Sequence, residues 1–181
     1  MDRTPSGAPA SRPPASPVPA APPLALPNPS KVRLRVRFNE TDLMGIVHHA
    51  SYLSYMEVAR VEWLRRRGIT YAAWAESGLH LPVVEVSLKY RASSRFDDEL
   101  EIEVGLGELR AASLRFDYRI VRPKDDRLCV EGSTRLACVD GNHALKRISP
   151  EMADVFGRPE GGEDSPGRGG GGALASGGAP R

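Results

Sequence analysis

The residues best suited to chemistry lie together in residues 39–52, which read NETDLMGIVHHASY. The segment combines the carboxylate of Asp42, the turn residue Gly45 and the adjacent His48 and His49. It leads directly into an amphipathic pattern, which places it at the N-terminus of a predicted helix, where backbone N–H groups lack partners within the helix. These groups favour negative charge that develops beside them. An acid next to such donors is suited to acyl transfer.

Asp42 also has a purely structural interpretation. An Asp followed by Gly three positions later is typical of an Asx-type turn or of a helix cap. The residue pattern favours catalysis and capping equally, so both interpretations stay open at this point.

Other kinds of reactive site are not indicated. His48 and His49 are adjacent, and adjacent residues rarely converge on one ion, so we expect no metal site. His80 and His143 stand alone in turn regions, and we interpret them as solvated. The sequence contains no zinc-type spacing of Cys and His, no glycine-rich phosphate loop after a strand and no G-x-S-x-G elbow. Any chemistry therefore depends on carboxylates and imidazoles.

Length and composition predict one domain with a tail at each end. The chain has 181 residues. Residues 1–30 are mostly Pro, Ala and Ser, and residues 157–181 are dominated by Gly, so neither segment can bury enough apolar surface to offset its ordering entropy. We predict disordered tails at 1–30 and 157–181 and a folded domain over 31–156.

Charge and cysteine content exclude several classes of protein. The formal net charge of +2 is small and evenly spread, which does not favour nucleic-acid binding. No apolar run is long enough for a membrane span or a secretory signal. Cys129 and Cys138 lie nine residues apart in one predicted strand, on opposite faces, so they cannot bridge each other. A reduced, cytoplasmic location fits these features.

The segment around Asp42 lies between a predicted strand and a predicted helix. Apolar and basic residues alternate over residues 31–38, which predicts a strand with one solvated basic face. Its apolar face consists of Val32, Leu34, Val36 and Phe38. Apolar residues then recur at spacings of three and four over residues 51–67, which predicts a helix with Ser51 as N-cap and Gly68 as left-handed C-cap. The apolar positions of this helix are Tyr52, Met56, Ala59 and Trp63, flanked by Leu53 and Leu64.

The rest of the chain predicts mainly strands. A short helix is predicted over residues 69–77, and from Leu81 the period changes to two. Four apolar sets follow: Val84, Val86, Leu88 and Tyr90; Leu100, Ile102, Val104 and Leu106; Leu114, Phe116, Tyr118 and Ile120; Leu128, Val130, Leu136 and Cys138. Predicted turns at 93–98, 107–110 and 122–126 separate these sets. An edge strand at 144–148 and a helical turn at 150–156 complete the prediction. Short connections favour an antiparallel sheet packed on the long helix, an α+β architecture.

Several of these segments resemble one enzyme family. The run FNETDLMGIVHHASY at residues 38–52, continued by YMEVAR at 55–60, resembles the signature of hotdog-fold acyl-CoA thioesterases. The similarity is greatest to the 4-hydroxybenzoyl-CoA and Tol-Pal-associated thioesterases. The later segments that resemble the family are YRASSRFDDEL at 90–100, RAASL at 110–114 and CVD at 138–140. The resemblance covers nearly all of residues 32–156.

The resemblance implies a fold, an assembly and a substrate. It implies the hotdog fold, in which a five-stranded antiparallel sheet wraps around a long central helix. It also implies a homodimer, often a tetramer, with active sites at subunit boundaries. The substrate implied is an acyl-CoA thioester, so coenzyme A belongs to the substrate and no separate cofactor is expected.

The resemblance also implies roles for individual residues. It assigns the catalytic carboxylate to Asp42 and the carbonyl-polarising backbone N–H to His49. Arg110 and Ser113 match positions that hold the coenzyme A phosphates, although Ala111 and Ala112 replace basic residues of the 4-hydroxybenzoyl enzyme. The residues expected to contact the rest of the substrate are Gly45, Ile46, Val47 and Tyr52.

Alternative activities remain open at this stage. Asp42 could attack the thioester as a nucleophile or act as a base on water. A non-catalytic protein of the same fold that binds acyl-CoA or an acyl carrier is a second hypothesis, in which Asp42 is only a cap. A hotdog dehydratase is a third, and it would need a base placed differently.

Overall fold

The computed structural model describes residues 29–76 and 78–157. The predicted tails therefore lie outside the described residues, apart from residues 29–30 and 157. The helices and strands are β1 (Ser30–Arg35), α1 (Ser51–Arg65), α2 (Tyr71–Glu76), β2 (Leu79–His80), β3 (Val83–Tyr90), β4 (Glu99–Arg110), β5 (Ser113–Arg122), β6 (Arg127–Ala137), β7 (Val139–Asp140) and α3 (Pro150–Gly157). Short 3-10 helices at Phe38–Glu40 and Pro123–Asp125 precede α1 and β6.

One five-stranded antiparallel sheet forms the centre of the fold. Its strand order is β1-β4-β5-β6-β3, and β2 pairs with β7 in a separate two-stranded sheet. The connections between β4, β5 and β6 are short, as expected for antiparallel neighbours. The predicted α+β class and the five-stranded antiparallel sheet are confirmed.

The core lies between α1 and one face of the sheet. Alternate side chains of β4, β5 and β6 are buried because successive residues of a strand point to opposite faces. The fully buried members are Leu100, Ile102, Val104, Leu114, Phe116, Tyr118, Ile120 and Val130. Trp63 of α1 meets Phe116 edge to face at 5.2 Å, and Phe156 of α3 stacks on Trp63 at 6.5 Å. Burying each large apolar side chain contributes about 1.5–3 kcal/mol, so this layer fixes α1 on the sheet.

The first strand ends earlier than predicted. It stops at Arg35, and Phe38 lies in the following 3-10 helix with 77% of its surface exposed. Phe38 therefore does not share the buried face with Val36; it packs edge to face on Phe96 at 5.8 Å. The predicted solvated basic face is confirmed, because the exposed side chains of β1 form ion pairs along β4. These pairs are Lys31–Glu101, Lys31–Glu103, Arg33–Glu99, Arg33–Glu101 and Arg35–Glu99.

The ends of α1 differ from the prediction in their contacts. Ser51 is the first helical residue rather than the N-cap, and its hydroxyl donates to the Glu40 carbonyl at 3.1 Å. At the other end Gly68 has φ +80°, which confirms the left-handed turn. Arg67 is buried, and its guanidinium lies 3.7 Å from the Trp63 ring centroid. It therefore packs into the core.

One predicted turn and one predicted edge strand are wrong. Residues 107–110 continue β4, since a bulge between Leu106 and Glu108 absorbs the irregularity and the chain reverses at residues 111–112. The predicted strand at residues 144–148 is reduced to one isolated bridge between Val139 and Leu145. The predicted helix at 150–156 is confirmed as α3.

The edge strand β3 leaves much of its predicted apolar face uncovered in the single chain. The exposed fractions within this face are 59% for Val84, 43% for Val86 and 50% for Tyr90. Its inner neighbour β6 approaches closely at Gly132, where an added Cβ would lie 2.2 Å from the Ser87 carbonyl oxygen. One edge of β3 is thus firmly paired, while the other is open.

The described ranges contain neither a membrane-spanning helix nor a cluster of metal-binding side chains. No helix there is both long and apolar enough to cross a bilayer. No group of three or more His, Cys, Asp or Glu side chains in that part of the chain could hold a metal ion. Cys129 and Cys138 are buried with free thiols.

Candidate active site

The segment that carries Asp42 forms a tight turn between β1 and α1. Thr41 and Val47 form an antiparallel bridge across it. The Asp42 N–H donates to the Ile46 carbonyl, and the Gly45 N–H donates to the Asp42 carbonyl, both at 2.9 Å. Gly45 has φ +69°, a conformation that a residue with a Cβ rarely adopts. The turn is therefore held by its own backbone.

The Asp42 carboxylate is half-buried and faces a cleft. One oxygen, Oδ1, accepts the Met44 N–H at 2.8 Å, which is the Asx-type turn contact anticipated from the sequence. The other oxygen, Oδ2, accepts no hydrogen bond from any residue that the structure describes. One carboxylate oxygen of Asp42 thus stabilises the turn, and the other is available to react.

His49 presents an N–H without an acceptor at the entrance of α1. The neighbouring His48 is fixed on both sides: its N–H donates to the Glu40 carbonyl at 2.8 Å, and its own carbonyl accepts the Ser51 N–H at 2.9 Å. The His49 carbonyl accepts the Tyr90 hydroxyl at 3.1 Å. Across residues 29–76 and 78–157, the His49 N–H forms no hydrogen bond. It is therefore available to an incoming oxygen.

Asp42 and His49 line the same cleft of about 390 Å³. The lining residues are Asp42, Met44, Ile46, Val47, His49, Tyr52, Tyr90, Arg91, Ala92 and Ser93. The cleft lies between the turn and the last residue of β3, with the start of α1 as its floor. The residue with the candidate carboxylate and the residue with the unsatisfied backbone donor therefore border one space.

Most, but not all, of the predicted site residues meet at this cleft. Ile46, Val47 and Tyr52 line it, as Asp42 and His49 do, whereas Gly45 shapes the turn behind it. Arg110 and Ser113 do not line it, because they lie on the β4–β5 hairpin, where they pair with each other. The Arg110 guanidinium is bound to Glu108 at 2.7 Å. A single chain therefore does not bring the predicted phosphate-binding pair to the carboxylate.

Tyr52 and Tyr90 form an aromatic wall of the cleft. Their rings meet edge to face at 5.8 Å. Tyr52 is 2% exposed, and burial raises its pKa, so the phenol is neutral at physiological pH. Tyr90 was predicted only as part of an apolar strand face, and its hydroxyl contact with His49 was missed. Nothing in the two-residue period distinguishes a hydroxyl that reaches another element.

The loop at residues 93–98 supports the turn from behind. The Ser94 carbonyl accepts the Val47 N–H at 2.8 Å, and the Ser94 hydroxyl lies 3.2 Å from the Cys129 sulfur. Asp98, 6% exposed, closes the loop by accepting the Arg95 N–H at 2.9 Å. Asp98 is the last residue of the predicted turn at 93–98, and this hydrogen bond closes that turn.

Asp98 is also the acidic centre of a cluster of basic groups. Its carboxylate is bound by the Lys124 ammonium and lies 3.4 Å from the Arg122 guanidinium. Burial alone would raise the pKa of Asp98, but the Lys124 ammonium, the Arg95 N–H and the Arg122 charge outweigh burial and hold the pKa below its usual range. The ionised form is therefore the one that braces the loop.

The site and the fold together define a class of protein. A five-stranded antiparallel sheet packed on one long helix, with a carboxylate at the helix entrance, is the hotdog arrangement. A family model described as the thioesterase-like superfamily matches residues 36–156. The chain belongs to this superfamily, and the predicted hotdog fold is confirmed.

Individual relatives agree with the family. The acyl-CoA thioester hydrolase YbgC of Escherichia coli O6:H1 is 36% identical over 118 residues, which are 65% of this chain and 87% of the relative. A putative esterase of Aquifex aeolicus is 33% identical over 124 residues, covering 68% of this chain and 94% of the relative. The prediction that this chain is a thioester hydrolase is confirmed at the level of the family.

Solved structures match the fold. A hypothetical protein from Thermus thermophilus superposes with a TM-score of 0.66 at 39% identity, covering 70% of this chain and 96% of that one. A DHNA-CoA thioesterase from Staphylococcus aureus superposes with a TM-score of 0.67 at 24% identity, covering 71% and 88% of the two chains. The second likeness concerns the fold alone.

The contacts of Asp98 with Lys124 and Arg122 predict that this carboxylate stabilises the protein at neutral pH and that the stabilisation is lost at low pH. Asp98→Asn should lower the free energy of unfolding by about 1–3 kcal/mol at pH 7, because a charge-assisted acceptor is lost. A carboxyl whose folded pKa is lowered stabilises the protein above its unfolded pKa of about 3.9. This contribution is lost as pH falls through the lower folded pKa. Urea unfolding at pH 7 and at pH 3 should therefore show a smaller difference between wild type and variant at pH 3.

The matched control for this experiment is Asp97→Asn. Asp97 is adjacent in sequence, but its side chain is 65% exposed, so its replacement should have a small effect at both pH values. An Asp98→Asn effect of equal size at pH 7 and pH 3 would contradict the assigned role of the charge.

Proposed function

We propose that this protein hydrolyses acyl-CoA thioesters in the cleft that contains Asp42 and His49. In this mechanism the Asp42 carboxylate acts on the thioester carbonyl carbon, and the His49 N–H holds the carbonyl oxygen. The observation that carries the proposal is that Asp42, with one carboxylate oxygen outside its turn contact, and His49, with an N–H that has no acceptor among the described residues, line the same cleft. Membership in the thioesterase-like superfamily supports it.

The His49 N–H is suited to stabilise the transition state. As the carbonyl carbon becomes tetrahedral, negative charge develops on its oxygen, and a donor already in place needs no reorganisation at that moment. The donor lies one residue before Ala50, which precedes the first residue of α1, so the helix N-terminus adds a favourable field. Removing one donor of this kind typically costs about 10²- to 10³-fold in rate.

Asp42 supplies the electron pair for the reaction. As a nucleophile, Oδ2 attacks the carbonyl carbon, the C–S bond breaks, coenzyme A leaves as a thiolate, and water then hydrolyses the mixed anhydride to regenerate the carboxylate. As a general base, the same oxygen takes a proton from the attacking water. A thiol has a pKa of about 8.5, so the thiolate leaves without strong protonation. Neither route needs a further acid in the cleft.

The aromatic wall supports an acyl group as the occupant of the cleft. Tyr52 and Tyr90 present ring surface, while Arg91 places a half-exposed guanidinium at the rim. The E. coli relative is named as an acyl-CoA thioester hydrolase, and the S. aureus structure is titled as that of a DHNA-CoA thioesterase. A coenzyme A thioester is therefore the substrate class that we propose for this chain.

The open edge of β3 supports a homodimer. Its exposed valines and unpaired backbone groups would be satisfied by the same strand of a second copy, giving an isologous antiparallel contact. We propose that the partner also supplies Arg110 and Ser113 to the coenzyme A phosphates, because a single chain holds them away from the cleft.

We also propose that two such dimers associate into a tetramer. The outward face of β1 and β4 carries dense ion pairs, so it is a poor surface for dry packing. The outer side of α1 instead exposes Leu53 at 39% and Val58 at 51%. These residues supply the apolar surface on which two dimers could meet.

Replacing Asp42 by Asn separates catalysis from the turn role. Asn keeps a side-chain oxygen for the Met44 N–H, so the turn and the fold should survive. The kcat for thiol release from a panel of acyl-CoAs should fall by about 10²-fold or more, because the amide is neither a nucleophile nor a base. Thiol release is followed with a chromogenic disulfide reagent.

Asp140→Asn is the matched control, since Asp140 Oδ1 also accepts backbone N–H groups in a turn, at 2.9 Å from Asn142 and 3.0 Å from Ala144. It does not line the cleft, so this variant should keep wild-type kcat. Full activity in Asp42→Asn would refute the mechanism. Stoichiometric acyl-CoA binding by wild type with no thiol released over hours would favour the non-catalytic alternative.

The proposed dimer is tested by charging the open edge of β3. A Val84→Glu, Val86→Glu double variant should sediment as a monomer, because like charges would face each other across the two-fold axis. Its kcat/KM should fall at least about 10-fold, since the partner completes the site. Leu145→Glu, at a position that is 70% exposed, is the control and should leave the sedimentation unchanged. A fully active monomer would show that one chain is sufficient.

A further inference from the structure

We propose that Glu40 is a positioning residue that fixes the His49 N–H and Asp42 relative to each other. This inference rests on the proposed function of those two groups. Glu40 belongs to the segment 39–52, but it does not line the cleft. Its effect on the reaction is therefore exerted through other residues.

The Glu40 side chain ties the turn to the middle of α1. It is 8% exposed and accepts four hydrogen bonds: from the N–H of Arg37 at 2.7 Å, from Nε and Nη2 of Arg37 at 2.9 and 2.7 Å, and from the Tyr55 hydroxyl at 2.7 Å. Tyr55 is itself 2% exposed and lies one turn inside α1. The carboxylate is thus anchored on one side by the strand end and on the other by the helix.

The Glu40 backbone ties the same point to the end of the turn. Its carbonyl accepts the His48 N–H at 2.8 Å and the Ser51 hydroxyl at 3.1 Å. The intervening residues 41–47 contain Asp42 and close on themselves through the bridge between Thr41 and Val47. Side chain and backbone of one residue therefore hold both ends of the turn and the start of α1.

This arrangement determines where the two reactive groups point. The peptide plane that carries the His49 N–H also contains the His48 carbonyl, and His48 is fixed by Glu40 on one side and by the Ser51 N–H on the other. Asp42 follows Glu40 by two residues in the same closed turn. Displacing Glu40 would rotate the His49 N–H and, independently, shift the Asp42 carboxylate. A misplacement of about 1 Å costs about 10²-fold in rate.

The position of Glu40 predicts a change in kcat rather than in KM. Glu40, Arg37 and Tyr55 border a separate cavity of about 310 Å³ on the side facing β1. Substrate in the catalytic cleft would not contact any of the three. A loss of positioning should therefore reduce the rate of the chemical step and leave substrate binding nearly unchanged.

Two variants and one control test this role in the full-length protein. Glu40→Gln replaces one acceptor oxygen by an amide that opposes the donors of Arg37, and kcat should fall about 10- to 100-fold with KM within about twofold. Tyr55→Phe removes only the helix anchor and should lower kcat in the same direction by a smaller factor. Glu101→Gln loses comparable contacts, to Lys31 at 2.8 Å and Arg33 at 3.0 Å, but lies on β4 away from the turn and should keep wild-type kcat.

A spectroscopic readout separates positioning from general destabilisation. The backbone ¹⁵N and ¹H resonances of His49 should shift in Glu40→Gln and in Tyr55→Phe, but not in Glu101→Gln, at a temperature where all three are folded. Unchanged kcat in both turn variants, a rise in KM without a fall in kcat, or an unmoved His49 resonance would each overturn the proposal. Because the resonance is independent of turnover, it tests the positioning of His49 even if Asp42→Asn shows that the proposed mechanism is wrong.

Discussion

The arrangement on which the site depends is a carboxylate held beside a backbone N–H that has no acceptor within the described fold. The donor belongs to His49, an exposed residue whose N–H is accessible to water when the cleft holds no substrate. A short turn with hydrogen bonds on both sides fixes the direction of this donor. A substrate oxygen that replaces water in front of it therefore meets a donor that is already in place.

The remainder of the fold supports that turn in layers. The aromatic packing of Trp63 on the sheet fixes α1, whose first residue bonds back to the turn. The loop at residues 93–98 supports Val47 from the other side, and the Asp98 cluster closes that loop. The open edge of β3 ends beside the same cleft, at Tyr90. The site therefore lies where the turn before α1, the loop at residues 93–98 and the end of β3 meet. The uncovered edge of β3 adjoins it.

Local patterns predicted most of the architecture. The two-residue period identified β4, β5 and β6, because each buries one face continuously, and the helical spacing identified α1. The errors occur where local pattern and tertiary contact disagree. Phe38 has the right spacing for the core, but the chain leaves the strand at Val36. The glycine at position 107 favours a turn, but a β-bulge there allows β4 to continue. Tyr90 and Ser94 were missed at the site because their contacts lie far away in sequence, where periodicity carries no information. Glu40 was missed because its contacts, although closer in sequence, lie in an irregular turn that follows no period. Asp42 and His49 line one cleft, and the roles assigned to them are proposals.

The most direct test of the central claim is a crystal structure of the protein with an acyl-CoA analogue in which a methylene group replaces the thioester sulfur, so that the carbonyl is retained but cannot be hydrolysed. The mechanism predicts the carbonyl oxygen about 2.7–3.1 Å from the His49 nitrogen. It also predicts an Asp42 carboxylate oxygen facing the carbonyl carbon, at about 3–3.5 Å if Asp42 is the nucleophile or with one water between them if it is the general base. A carbonyl oxygen held by other donors, or an analogue bound away from both groups, would contradict the account.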